Sequence, residues 1–306
     1  MQKVRPLEKG STIGVVAPAS DMSPEDLQKG VAELEHLGYS VRYSEAVFGR
    51  DLYFAGPHER RAEDLMQMFE SPEISAIFCA RGGYGCHHLL PLLDQHRIRR
   101  NPKIFMGYSD VTALLQYLEA RAEMVCFHGP MVAREFAGGK ALYDVDNLMR
   151  CLSDPSPGQR ITGPGVETLR GGRAQGRLTG GCLSLLTALV GTPYEATTED
   201  TILLLEDVGT KPYQLDRMLM HMRLAGKLQS VRGIVFGQMP NCAQSPEQDY
   251  RLQDVLLRAL GPSSIPVLYG FPSGHTTAGA LTLPMGVRVT LDADGGYLEV
   301  EEPPLV

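Results

Sequence analysis

Lys103–Ala122, KIFMGYSDVTALLQYLEARA, is the stretch whose reading decides the fold. Ile104, Phe105 and Met106 form a continuous apolar run, the pattern of a short strand buried on both faces. Gly107 then permits a sharp turn that a Cβ would hinder. From Val111 onward, Leu114, Leu115 and Leu118 recur at helical spacing, so Ser109 and Asp110 stand at a helix N-terminus, where backbone N–H groups point outward. Such a place suits a nucleophilic hydroxyl with an oxyanion held beside it. Ser and Asp are also favoured helix caps, and Gly107-Tyr108-Ser109-Asp110-Val111 lacks the second glycine of a G-x-S-x-G elbow. Ser109 therefore needs partners elsewhere in the chain before it means more than a cap.

Upstream, residues 11–17 (STIGVVA) predict a strand, and Ser23-Pro24 opens a helix with Leu27, Val31, Leu34 and Leu37 on its apolar stripe. A strand at 41–43, a helix at 58–69 and a strand at 74–79 continue the βαβ pattern. That last strand stops at Ala80-Arg81-Gly82-Gly83-Tyr84-Gly85, and a helix is expected at 88–93. Three glycines in four positions imply a close backbone approach to a ligand, but the spacing is not the G-x-G-x-x-G of a dinucleotide loop. Open parallel sheets bind ligands outside the carboxyl ends of their strands, which puts the glycine loop and Ser109 on one edge. The N–H groups of Gly83 and Asp110 are then the candidate oxyanion donors. His128, ending a strand at 124–127, reads either as a base or as a hydrogen-bonded structural residue. Arg97, Arg99 and Arg100 read as a local solvated turn.

Downstream, a helix at 144–152 is followed by residues 153–177, rich in Pro, Gly and Ser, where a domain boundary is expected. The division is 1–155, a linker at 156–177, and a C-terminal α/β domain at 178–306. In the last, helices are predicted at 183–190, 212–224 and 253–260, strands at 201–205, 231–236 and 267–270, and a terminal hairpin at 288–292 and 296–301. Strand 201–205 ends in Glu206, and strand 267–270 runs into Phe271-Pro272-Ser273-Gly274-His275. Ser109, Glu206 and His275 supply nucleophile, carboxylate and base, the three groups that an activated serine requires.

The 306 residues are 43% hydrophobic and 21% charged, the composition of an ordinary globular protein long enough for two domains. A net charge of -7 argues against nucleic-acid binding, since no basic field would attract phosphate. No apolar run reaches the length of a membrane span and the N-terminus has no signal core, so a cytoplasmic protein is expected. Six cysteines without a C-x-x-C pair make neither a disulfide framework nor a zinc spacing; they are expected to be reduced and buried, with no metal or cofactor.

Taken together, STIGVVAPAS, ARGGYG, GYSD, FHGPM, the Gly180-Gly181 turn, LLLEDVG with the following YQLDRML, and GFPSGH resemble the muramoyl-tetrapeptide LD-carboxypeptidases, a serine peptidase family that includes the microcin C self-immunity protein. The resemblance runs over nearly the whole chain. It implies a Rossmann-like (flavodoxin-like) parallel-sheet N-terminal domain, a smaller β-rich C-terminal domain, no metal and a homodimer. It also implies Ser109 as nucleophile, Glu206 and His275 as its partners, and the amides of Gly83 and Asp110 as oxyanion hole. The implied reaction releases a terminal D-alanine from cytoplasmic murein tetrapeptides during peptidoglycan recycling. The substrate's carboxylate needs a cation, for which Arg81 is the candidate and Arg232 a weaker one. Two alternatives stand beside this reading: an amidase acting on peptidyl or aminoacyl nucleotides, and a non-catalytic muropeptide-binding or sensor protein. The family's Gly-Gly-Asn-Leu is Gly180-Gly181-Cys182-Leu183 here, and the chain has no tryptophan to stack on a nucleotide base.

Overall fold

A computed structural model describes all residues, Met1–Val306. The first 155 residues run β1 (Thr12–Val16), α1 (Pro24–His36), β2 (Ser40–Arg42), α2 (His58–Glu70), β3 (Ala76–Cys79), α3 (Gln95–Arg100), β4 (Ile104–Gly107), α4 (Thr112–Ala120), β5 (Cys126–His128) and α5 (Val145–Ser153). There follow β6 (Gln159–Ile161), β7 (Glu167–Arg170), β8 (Arg173–Cys182), α6 (Leu183–Leu189), β9 (Thr201–Glu206), α7 (Pro212–Leu224), β10 (Gly233–Gly237), α8 (Leu252–Leu260) and β11 (Val267–Phe271). Three short strands close the chain: β12 (Leu283–Met285), β13 (Arg288–Asp292) and β14 (Tyr297–Val300).

These elements form two compact units. The first comprises Met1–Pro155 together with Ala278–Met285 and Pro304–Val306. Its sheet has the order β12-β5-β4-β3-β1-β2, in which β1 to β5 are parallel and β12 lies antiparallel on the edge. The 2-1-3-4-5 order is that of flavodoxin-like doubly wound sheets. Every residue of β3, β4 and β5 is buried, as a parallel sheet covered on both faces requires. Phe78, Phe105 and Phe127 are among its fully buried side chains, each stabilising the fold by roughly 1.5–3 kcal/mol relative to exposure.

The second unit comprises Ser156–Thr277 and Gly286–Pro303. Its eight strands are ordered β6-β14-β13-β8-β9-β10-β11-β7, with β8 to β11 parallel at the centre and antiparallel strands on both flanks. Helices α6, α7 and α8 bury Leu186, Leu215, Leu219, Met222 and Leu256 with Leu203, Leu205 and Phe236 of the sheet. The chain is thus a mixed α/β protein with a parallel sheet in its N-terminal part and a β-rich C-terminal part.

The structure departs from the sequence reading in four places. Residues 156–177 carry β6, β7 and the first half of β8, so their glycines and prolines punctuate short strands. The helix expected at 88–93 is two separate 3-10 turns, Cys86–His88 and Leu90–Leu92, because Pro91 has no N–H to continue a helical ladder. Arg97, Arg99 and Arg100 lie in α3 rather than in a turn, with Asp94 capping it and Arg97 paired to Glu70. Strand β12 escaped notice altogether. It is three residues long and contains Pro284, tolerated at a sheet edge.

Candidate active site

In the first unit, β4 delivers its C-terminal end to Ser109. Gly107 is required there: an added Cβ would lie 2.9 Å from Val111 Cγ1 and 3.1 Å from Cys79 Cβ. A 3-10 turn, Ser109–Val111, joins β4 to α4. Ser109 has φ +63°, a left-handed conformation that costs a non-glycine residue of order 1–3 kcal/mol, and it is the N-cap of neither helical segment, Tyr108 preceding the 3-10 turn and Val111 preceding α4. Capping therefore does not explain this serine. Its neighbour Tyr108 is buried and donates its hydroxyl to Glu135 Oε1 at 2.7 Å, so the turn is anchored from below.

The glycine loop after β3 meets this turn. A Cβ on Gly82 would sit 2.8 Å from Ser109 Cβ, 2.9 Å from Ser109 Oγ and 3.4 Å from Asp110 N. Gly83 (φ +112°) has no room for a Cβ because the Ser20 side chain occupies that space. Ser20 also donates its N–H to Gly82 O and accepts the Tyr84 N–H on its hydroxyl. Asp110 is fully buried, and its Oδ2 accepts the Cys86 N–H at 2.8 Å. Burial pushes its carboxyl above the ordinary aspartate range, against the opposing pull of the Cys86 hydrogen bonds.

In the second unit, β9 ends in Glu206, which is fully buried. Its Oε2 lies 2.6 Å from His275 Nδ1 and accepts the His275 backbone N–H at 3.1 Å. An ionised carboxylate can only accept, so Nδ1 carries the hydrogen and Nε2 is the basic nitrogen. Two glycines make room for the pair. A Cβ on Gly237 would come within 2.6 Å of Glu206 Cβ, and one on Gly274 (φ +82°) within 2.6 Å of Glu206 Cδ. The adjacent Asp207 takes a structural part, accepting the N–H groups of Ser184 and Val208 and the hydroxyl of Thr210.

The structure thus brings Glu206 to His275 in one unit, and the glycine loop to Ser109 and Asp110 in the other. His128 is fully buried in β5, beside Gly107 in the sheet register. Arg81 is exposed and donates to the Asp21 carbonyl at 2.9 Å. Arg232 stands just before β10, at the opposite end of the parallel strands from Glu206, and pairs with Asp200 at 2.7 Å. It is not brought to the Glu206–His275 pair. Cys182 is buried at the start of α6, 3.2 Å from Ser184 Oγ. The sequence reading missed Ser20 and Gly237 as parts of these arrangements, and it named Gly82 and Gly274 only as members of their turns. Only the two glycines beside turn residues carried any local signal. No group of three or more His, Cys, Asp or Glu side chains is placed to hold a metal ion.

Comparison with known proteins adds the following. Residues 13–129 match the LD-carboxypeptidase N-terminal domain, and residues 175–291 the LD-carboxypeptidase C-terminal domain. A Bacillus subtilis (strain 168) protein named "Probable murein peptide carboxypeptidase" is 36% identical, over 95% of this chain and 91% of its own. The structure of the wild-type microcin C7 self-immunity protein MccF superimposes with a TM-score of 0.94 at 26% identity, covering 100% of both chains. That of muramoyltetrapeptide carboxypeptidase from Oxalobacter formigenes gives 0.85 at 28% identity, covering 96% of this chain and 100% of the other.

Proposed function

Because the chain belongs to the LD-carboxypeptidase family and is a serine-type carboxypeptidase, a hydrolase, we propose that it releases the terminal D-alanine of murein tetrapeptides in the cytoplasm, as a step of peptidoglycan recycling. The observation that carries this reading is the Glu206–His275 pair: a buried carboxylate 2.6 Å from Nδ1 fixes the imidazole tautomer and favours the imidazolium that forms in the reaction. In this reading Nε2 of His275 takes the proton of the Ser109 hydroxyl as Oγ attacks the carbonyl of the scissile amide. The tetrahedral oxyanion is met by the N–H groups of Gly83 and Asp110. Collapse breaks the C–N bond, His275 returns the proton to the leaving D-alanine amine, and water then hydrolyses the acyl-enzyme by the same route. Arg81, exposed beside the glycine loop, receives the substrate carboxylate, and the enzyme works as a homodimer.

Ser109→Ala is expected to lower D-alanine release from a murein tetrapeptide by at least about 10³-fold, with an unchanged melting temperature. Glu206→Gln is expected to lower kcat by a similar order, since the amide no longer holds the imidazole in the required tautomer. The base must be neutral to accept a proton, so the rate is lost on the acid side of the profile. Activity is expected to survive EDTA. Release by Ser109→Ala at the wild-type rate would overturn the reading. The likeness to MccF favours one competitor, hydrolysis of an aminoacyl or peptidyl nucleotide; a higher kcat/KM on a peptidyl-adenylate analogue than on the tetrapeptide would select it.

A further inference from the structure

The glycine loop is a poor support for catalysis if left to itself. Gly82, Gly83 and Gly85 lie within four residues, two of them at φ +112° and +137°, and such a backbone has more freedom to lose than any other. An oxyanion hole works only when its donors are held at fixed positions before charge develops. The question is what holds this one.

Three side chains from outside the loop grip its backbone. Ser20, beyond the end of β1, makes two bonds to it: its hydroxyl accepts the Tyr84 N–H at 3.1 Å and its N–H donates to Gly82 O at 3.4 Å. Arg61, buried in α2, donates to Gly85 O at 3.1 Å while binding the carbonyls of Gly56 and Pro18, so the loop is tied to two neighbouring segments. Asp110 accepts the Cys86 N–H. This third tie differs from the others because Asp110 belongs to the Ser109 turn itself. Its backbone N–H and its carboxylate thus face two tasks from one residue. Its carboxyl also meets the Cys86 side chain, so both of these polar contacts go to the same residue of the loop.

We propose that the Asp110 carboxylate is a positioning residue that locks the Gly82–Cys86 loop to the Ser109 turn, so that the Gly83 and Asp110 N–H groups keep one spacing through the reaction, with Ser20 as the second lock. The inference rests on Ser109 being the nucleophile and deepens that reading. The carboxylate touches no reacting atom; it acts through the backbone it holds. A hydrogen-bond acceptor at this place is what matters, and an amide oxygen supplies one equally well.

The test compares Asp110→Ala, Asp110→Asn and Ser20→Ala in the full-length protein, measuring kcat, KM and melting temperature with a murein tetrapeptide. Loss of one oxyanion donor typically costs 10²–10³ in kcat, so Asp110→Ala is expected to fall by about 10²-fold with KM within about twofold of wild type. Asp110→Asn is expected to recover to within about tenfold of wild type, and Ser20→Ala to lose about tenfold in kcat alone. An Asn variant as slow as the Ala variant would mean that charge, and not the bond to Cys86, is what counts, and would overturn the proposal. So would wild-type kcat in Ser20→Ala, which remains informative if Asp110→Ala does not fold. Failure of the wild type to release D-alanine would instead sink the substrate reading underneath, and wild-type activity in Ser109→Ala the nucleophile assignment.

Discussion

Ser109 shows why a single residue's role is hard to read from its neighbours in the chain. Its position after an apolar run was legible, as was the turn allowed by Gly107, but the left-handed backbone that separates it from an ordinary cap was not. That conformation is imposed by what packs around the turn, notably the Gly82 backbone, which is distant in sequence. Gly82→Ala is a sharp probe. Gly82 has no positive φ, so alanine is conformationally acceptable, and the atoms nearest to the added methyl all belong to the Ser109 turn. We expect kcat to fall by more than about tenfold, together with a loss of stability of about 1–3 kcal/mol from the crowded turn, both measured on the same preparation. A second residue-scale effect is electrostatic. Lys103, just before β4, is buried, and burial lowers its ammonium pKa to about 8. The unfolded chain then binds more protons than the native one between about pH 8 and the ordinary lysine value, so stability attributable to this group rises with pH across that window. The six buried thiols pull the other way, so the check is a difference: from pH 7.5 to pH 10 the urea midpoint of Lys103→Met is expected to change less favourably than that of wild type.

Among elements, those with strong periodicity were readable. Helix α7 runs Pro212–Leu224 as its proline start and apolar stripe indicate, and α1, α2 and α5 likewise begin where their punctuation places them. Strands β6, β7 and β12 were not, because three or four residues hold no period and their identity comes from partners far along the chain. Close packing between elements leaves its mark in glycines instead. Gly30 on α1 presses against the backbone carbonyl of Val132, and Gly180 in β8 (φ +120°) against that of Leu204 in β9. Neither carbonyl can step aside without breaking its own element. Gly30→Ala and Gly180→Ala are each expected to destabilise the protein by about 3 kcal/mol or more, seen as a lower denaturation midpoint, the second also bearing backbone strain.

At the scale of the molecule, all six cysteines are buried and free, as expected from their scattered spacing. Burial drives every thiol pKa upward, to about 12 for Cys151 and about 11 for Cys242. A thiolate is the reactive species, so the native protein is expected to leave Ellman's reagent unreacted at pH 8 and to show six thiols once denatured. More than one fast-reacting thiol in the native state would contradict this. No helix is long and apolar enough to cross a membrane. The first unit is not a contiguous stretch of chain, which the Pro- and Gly-rich composition of 153–177 could not reveal. Leu283 and Met285 of β12 are fully buried there, Leu283 in register with His128 and Met285 with Cys126. Val4 pairs with Leu305, and the Val306 N–H donates to Val4 O. A fragment ending at Pro155 therefore exposes the β5 edge and is expected to aggregate on expression, whereas the full chain stays in solution. The same threading sets a timetable for biosynthesis: while the ribosome is still translating the C-terminal third, the N-terminal lobe carries an open sheet margin. It is completed only once β12 has been made, so the nascent polypeptide carries that unpaired margin while the whole of Ser156–Thr277 is added.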